Sequence, residues 1–209
     1  MTLAFLFHNS ALIFSPMYFI PIRKYPPRTV MTIMGLCLLI GITPLPSALF
    51  AAYGDVSDSG DRVAGYVEDT SGFRIAYLIE ACFFLFFIFS KYRIIPNDPK
   101  RIVLLNIALA FCGILLFFIK SENGGRLGWY YLMGLFATLS YIASKSKKTA
   151  IHNVGLIVVC FFLFFRILFS WGIMLHPYKT FFTNGHREDD FIYERYEYDP
   201  NYDKDKFYK

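Results

Sequence analysis

The chain has 209 residues, of which 56% are hydrophobic, 20% aromatic and only 18% charged, with a formal net charge of +5. A soluble domain carries roughly 25% charged residues, and no single core of this length accommodates 24 Phe and 15 Tyr. A disordered chain, a fibrous repeat and an ordinary soluble globule are excluded, which leaves a membrane protein.

Continuous apolar runs predict helices near residues 2–20, 30–52, 75–90, 102–119, 127–143 and 154–175. Crossing the hydrocarbon core takes roughly 17–25 residues, so five runs fit and 75–90 is completed by a snorkelling Lys91. A membrane barrel would show ten-residue alternation, which these runs lack. The expected fold class is all-α, a polytopic integral membrane protein with about six transmembrane helices. A helical domain covers 1–176, and a polar, Tyr-rich, flexible tail covers 177–209. The first run lacks the basic n-region and small-residue cleavage site of a signal peptide. In the second, Pro44-Leu45-Pro46 admits a re-entrant hairpin in place of a crossing.

The loops alternate in charge. Arg23, Lys24, Arg28, Lys91, Arg93, Lys100, Arg101, Lys145, Lys147 and Lys148 fall on one side, against Arg62, Arg74, Lys120 and Arg126 on the other. The positive-inside rule puts the first set in the cytoplasm, with the amino terminus, loop 53–74 and the tail outside. The cysteines Cys37, Cys82, Cys112 and Cys160 lie in separate apolar runs without a CxxC pair, so neither a disulfide framework nor a zinc site is expected. Asp203-Lys204-Asp205 has the look of a metal-binding DxD, of a kind that arises by chance in a charge-dense tail. In loop 53–74, Asp55 and Gly60 imitate a calcium loop, but Tyr66 stands where a bidentate Glu is required. No metal and no cofactor is therefore expected. No phosphate-binding glycine loop is present, and nothing points to nucleic acid.

Polar residues at membrane depth are costly and mark cavities or interhelical contacts. His8, with Asn9 and Ser10, lies in the outer half of the first run; Asn106 is near the inner end of the fourth. Either can equally be a helix-to-helix contact contributing about 0.6 kcal/mol. Glu80 and Arg166 lie about 8 Å and about 13 Å below the outer surface at 1.5 Å per residue, and are expected to form a structural intramembrane pair. Lys120–Arg126 leads into Gly128-Trp129-Tyr130-Tyr131, and a helix starting near Arg126 puts Arg126, Tyr130 and Gly134 on one face. Two readings are open: an aromatic belt with a snorkelling anchor, or a diphosphate-and-sugar site in which guanidinium grips phosphate and rings stack on sugar.

The stretch LAFLFHNSALIFSPMYFI resembles the H-x-S-A helix of the EpsG-type exopolysaccharide polymerases, relatives of the Wzy polymerases, through His8, Ser10, Ala11, Pro16 and Tyr18. GRLGWYYLMG is similar to the family's arginine-aromatic entry into a late span, through Arg126, Trp129, Tyr130 and Tyr131. MLHPYKTFF resembles its Pro-Tyr-Lys element, through Pro177, Tyr178 and Lys179. The likeness runs in order from Leu3 to about Phe182. Family members are usually longer, with further spans before the H-x-S-A helix, so the chain looks like the carboxyl-terminal half of such a protein.

The resemblance implies a bacterial inner-membrane glycosyltransferase-type polymerase that joins undecaprenyl-diphosphate-linked oligosaccharide units for exopolysaccharide or capsule. Its substrate is the lipid-linked oligosaccharide, and a flippase and a chain-length regulator are its expected partners. Such a reaction needs a base and cations for the departing diphosphate. The candidate base is His8 with Asp69 in reserve, and the candidate clamp is Arg126 with Arg74 and Arg62; Tyr130 and Tyr131 are the substrate-binding aromatics. Two other classes compete. A lipid-linked sugar transporter or flippase would be expected to show internal repeats, and no clear one is present. A non-enzymatic membrane scaffold would have no use for the outer arginines.

Overall fold

The computed structural model describes residues 9–49, 72–121, 124–145 and 151–171. Two compact units divide the chain at residue 148. In the first, a 3-10 helix, Asn9–Phe19, leads through a short basic loop into α1 (Pro27–Gly41). Then come α2 (Ile75–Ser90), a 3-10 turn at Tyr92–Ile94, α3 (Pro99–Phe117) and α4 (Gly124–Gly128). A second 3-10 turn, Trp129–Tyr131, joins α4 to α5 (Leu132–Lys145). The second unit contains α6 (Ile151–Trp171), which carries its own ladder of rings, Phe161 to Phe165 at 4.4 Å and Phe165 to Phe169 at 6.3 Å. All of these elements are helical, as the composition led one to expect, and there is no strand among the described residues.

By length and composition, α3 is the one described helix suited to crossing a membrane, with 19 residues and a mean hydropathy of 2.0. Pro27–Gly41, Ile75–Ser90 and Asn153–Phe165 are apolar but shorter. α3 is also the centre of its unit. It packs on α1, α2, α4 and α5, with Leu105, Ala108, Cys112 and Leu115 buried. Asp98 starts it: the carboxylate accepts from the N–H of Arg101 at 3.3 Å and Pro99 occupies the first turn, where its missing N–H costs nothing.

The faces turned outward are apolar. Met31, Leu36 and Leu39 on α1, Ile79 and Phe86 on α2, and Met133 and Phe136 on α5 are all exposed. Faces of this kind on three helices that all pack on α3 suit a hydrocarbon surrounding, because exposed apolar area in water drives association. Two glycines bring the helices close. A Cβ at Gly41 would collide with the carbonyl oxygen of Leu116, and one at Gly134 would collide with Cβ and Cγ2 of Ile107. Small residues at crossings supply the tight packing that membrane helices need when the solvent is itself apolar.

The single run expected over 30–52 is broken. α1 stops at Gly41, the chain turns at 42–44, and helix resumes over 45–49. Thr43 makes the corner: its hydroxyl donates to the carbonyl of Ile40 at 2.6 Å and accepts from the N–H of Leu45 at 3.2 Å. Pro44 has no N–H to extend α1, and Pro46 falls in the first turn of the new helix, where proline is tolerated. Lys120 donates to the carbonyl of Ile42 at 2.6 Å, which puts a cation at the negative end of α1, worth about 0.3–1 kcal/mol. The first run also departs from an α-helix: its described part, with Pro16 inside, winds as a 3-10 helix.

Contacts between loops group them at two ends of this unit. At one end Tyr92 donates to the carbonyl of Tyr25, Lys24 donates to that of Ile95, and the Arg101 guanidinium covers the Tyr141 ring at 4.4 Å. At the other, the N–H of Arg74 donates to the carbonyl of Ile119. Loops 21–29 and 91–101 are therefore together, and residues 42, 74, 119–121 and 124–126 are together at the opposite end.

Candidate functional site

Arg74 closes the amino end of α2. Its backbone N–H bonds Ile119 at 3.0 Å, its carbonyl accepts from the N–H of Tyr77 at 3.0 Å, and its side-chain Nε is buried. One turn on, the Tyr77 hydroxyl accepts the N–H of Gly125 at 3.1 Å. This bond ties α4 to α2, so Arg126, the next residue, is held over the same end of the bundle as Arg74. A Cβ at Gly125 would come within 2.9 Å of that hydroxyl, so glycine permits the approach. Arg126 is exposed, Tyr130 is 37% exposed, and Lys120 is exposed nearby in sequence. Glu80 follows Tyr77 on α2 by three residues, half-buried, with Oε1 buried.

Two members of the expected clamp, Arg74 and Arg126, are thus brought to one end. Tyr131 is not on that open surface. It is 2% exposed, its ring lies 5.0 Å from that of Phe14, and it faces an interior crevice of about 360 Å³. Pro16 and Met17 of the 3-10 segment, Met34 and Cys37 of α1, and Asn106 and Gly113 of α3 share the lining of that crevice. The expectation that Arg126, Tyr130 and Gly134 share one face fails. The turn at Trp129–Tyr131 winds at about 120° per residue where an α-helix winds at about 100°, which rotates the faces of α5 by roughly 60° relative to a continuous α-helix. Gly134 is consequently buried against Ile107 while Arg126 and Tyr130 stay exposed.

The Phe14–Tyr131 contact joins two stretches that are far apart in sequence, one just after His8 and one just after Arg126. His8 itself, Arg62 and Asp69 lie outside the described residues, as do the tail and its Asp203-Lys204-Asp205. Arg166 is on α6, in the other unit from Glu80, and its side chain is outside the described residues, so the expected pair is a matter of sequence alone. Asn106 is buried; its amide donates to the carbonyls of Pro21 and Arg23 at 3.4 and 3.3 Å, so it braces a loop and not a second helix. Sequence reasoning missed Tyr77. The available signal was its position one turn after Arg74, but its partner is a backbone N–H 48 residues away. Among the described residues, no cluster of three or more His, Cys, Asp or Glu is arranged to hold a metal ion.

A family model, that of the EpsG family, matches residues 1–180. No curated protein and no solved structure matches the chain.

Proposed function

Because the chain belongs to the EpsG family, we propose that it is a multi-pass membrane polymerase that joins oligosaccharide repeat units carried on undecaprenyl diphosphate. As a member it is a membrane protein of polysaccharide biosynthesis. In the proposed reaction a hydroxyl at the non-reducing end of one lipid-linked unit attacks the anomeric carbon of the growing chain. The carbon–oxygen bond to the lipid diphosphate breaks, and the diphosphate leaves with the bonding pair. The glycosyl diphosphate is already activated, so no ATP is consumed.

Each step assigns a role. The attacking hydroxyl must lose its proton, and His8, with an unperturbed pKa of roughly 6.5, suits a base at neutral pH. Asp69 is the alternative. The leaving diphosphate gains charge and is stabilised by cations aimed at it before reaction. Arg126 and Arg74 are assigned that role, Arg62 assists, and Tyr130 stacks against sugar. The observation that carries this reading is the convergence of Arg74 and Arg126 through the Tyr77–Gly125 bond. The Phe14–Tyr131 contact, which joins the stretches after His8 and Arg126, supports it. The test uses membranes bearing the protein and a lipid-diphosphate-linked oligosaccharide. Wild type is expected to give a polymer ladder and to release polyprenyl diphosphate. His8→Gln keeps a hydrogen-bonding end but has no titrating nitrogen, and is expected to lose the ladder at unchanged membrane abundance. Chains of wild-type length from that variant would remove His8 from the mechanism.

The proposed topology has six crossings, with the Lys/Arg-rich end in the cytoplasm of the bacterial inner membrane. The grouping of the first unit's loops at two ends supports it. Reporter fusions at Arg28, Arg62, Lys100 and Lys147 are expected to read in, out, in and in. A cytoplasmic reading at Arg62 would mean that the chain turns back at the Thr43–Pro44 corner.

A further inference from the structure

A second site is built at the opposite, basic end. The loop at residues 21–26 is pinned three times: by the Asn106 amide on Pro21 and Arg23, by the Tyr92 hydroxyl on Tyr25 at 2.6 Å, and by the Lys24 ammonium on Ile95 at 2.5 Å. Burial pushes the Tyr92 phenol up to about 12, so it stays a donor throughout the neutral range. Within the loop, the N–H of Arg23 closes a tight turn on the carbonyl of Pro21 at 2.8 Å. This rigid loop holds two cations over aromatic faces, Arg23 at 4.6 Å from the Tyr25 centroid and Lys24 at 4.8 Å from that of Tyr92.

Both cations line a groove of about 560 Å³ that also includes Asn97 and the apolar Ile22 and Ile102. Partial burial lowers the Lys24 pKa from its ordinary value, a cost that a bound anion offsets. An ammonium has three donors, of which the Ile95 carbonyl takes one from Lys24, and a guanidinium has five; a ring face occupies none of the rest. The groove therefore offers N–H donors for a phosphate, an amide for neighbouring hydroxyls, and the exposed Ile22 for the start of an acyl chain. An inorganic anion would use only the first of these.

We infer that the groove between loop 21–26 and Tyr92–Ile102 binds the phosphate headgroup of an anionic phospholipid, in the leaflet at the basic end of the protein. The inference needs this end to meet a bilayer surface, as in the proposed topology, but not the polymerase chemistry. Each surface cation contributes on the order of fivefold to anionic-lipid affinity, so losing both is expected to cut it roughly 25-fold.

The test uses the full chain in nanodiscs of phosphatidylcholine with or without phosphatidylglycerol. Thermal unfolding and native mass spectrometry of retained lipid are the readouts. Wild type is expected to unfold at a higher temperature with phosphatidylglycerol and to retain it selectively. Arg23→Gln with Lys24→Gln is expected to abolish both effects, and the exposed Lys100→Gln, which removes one charge outside the groove, to keep them. The double variant also loses the Lys24–Ile95 bond; should it fail to insert, Arg23→Gln alone keeps that bond and is expected to weaken phosphatidylglycerol retention about fivefold, and unchanged retention in it would overturn the site. Wild type without lipid selectivity, a double variant that keeps it, or Lys100→Gln losing as much as the double variant would each overturn the site. Stabilisation by inorganic phosphate in pure phosphatidylcholine to the same extent would overturn the lipid as its ligand. The reporter fusions judge the topology separately.

Discussion

Gly134→Val is expected to prevent the first unit from assembling, with little folded protein surviving detergent extraction. A Cβ at residue 134 would collide with two carbons of Ile107 and lie 2.9 Å from the carbonyl oxygen of Leu104. Part of that obstacle is α3 backbone, which no rotamer change removes. Overpacking a well-filled core costs about 1–3 kcal/mol when side chains can adjust; here α5 must separate from the central helix. Between helices in lipid there is no hydrophobic force to recover the loss, because close packing is itself the driving term. Gly35→Val is the control. Nothing lies within 4 Å of a Cβ built there, so it is expected to behave as wild type. The measurement is monodisperse protein per membrane-inserted chain by size-exclusion chromatography. Equal recovery of the two variants would show that α3 and α5 do not cross at Gly134.

Arg126→Lys is expected to cut polymer formation at least about tenfold, corresponding to roughly 1.4 kcal/mol of transition-state stabilisation. Arg126 stands in the middle of the five-residue α4, one residue from the N–H that Tyr77 holds. If it grips the diphosphate through its planar fork, a point charge on a flexible stem reproduces neither the geometry nor the two parallel bonds. A simple interfacial anchor accepts Lys almost freely, since snorkelling requires only a long cationic side chain. The measurement is polymer yield per membrane-inserted protein. If Arg126→Lys matches wild type while Arg126→Ala only lowers abundance, Arg126 is an anchor and the clamp assignment fails.

Which of these features a sequence discloses depends on how local its cause is. α2 was legible to the residue, because a run apolar but for Glu80 is bounded by Arg74 and Lys91. The corner at Thr43 was half legible. Pro44 and Pro46 marked it, but the marks fit a hairpin as well as a bend. The 3-10 turn at Trp129–Tyr131 was not legible. Where it falls depends on tertiary fit, including Gly128, whose Cβ position lies 3.1 Å from the Phe111 ring. The basic groove was hidden for the same reason, since its pins join residues 71 and 67 positions apart. Charge sorting of the loops was visible because it is a sum over many side chains, whereas Tyr77 acts through a single bond.

The Lys120 cap on α1 also has a meaning for biosynthesis. Its ammonium and the Ile42 carbonyl are 78 residues apart in the chain, and a ribosome adds roughly 5–20 residues per second. The last carbonyls of α1 are therefore made roughly 4–16 s before the cation that covers them. Over the same interval Gly41 has no α3 backbone to dock against. α1 is therefore complete before the helix that Gly41 packs against exists, and it becomes part of the bundle only once α3 has been made.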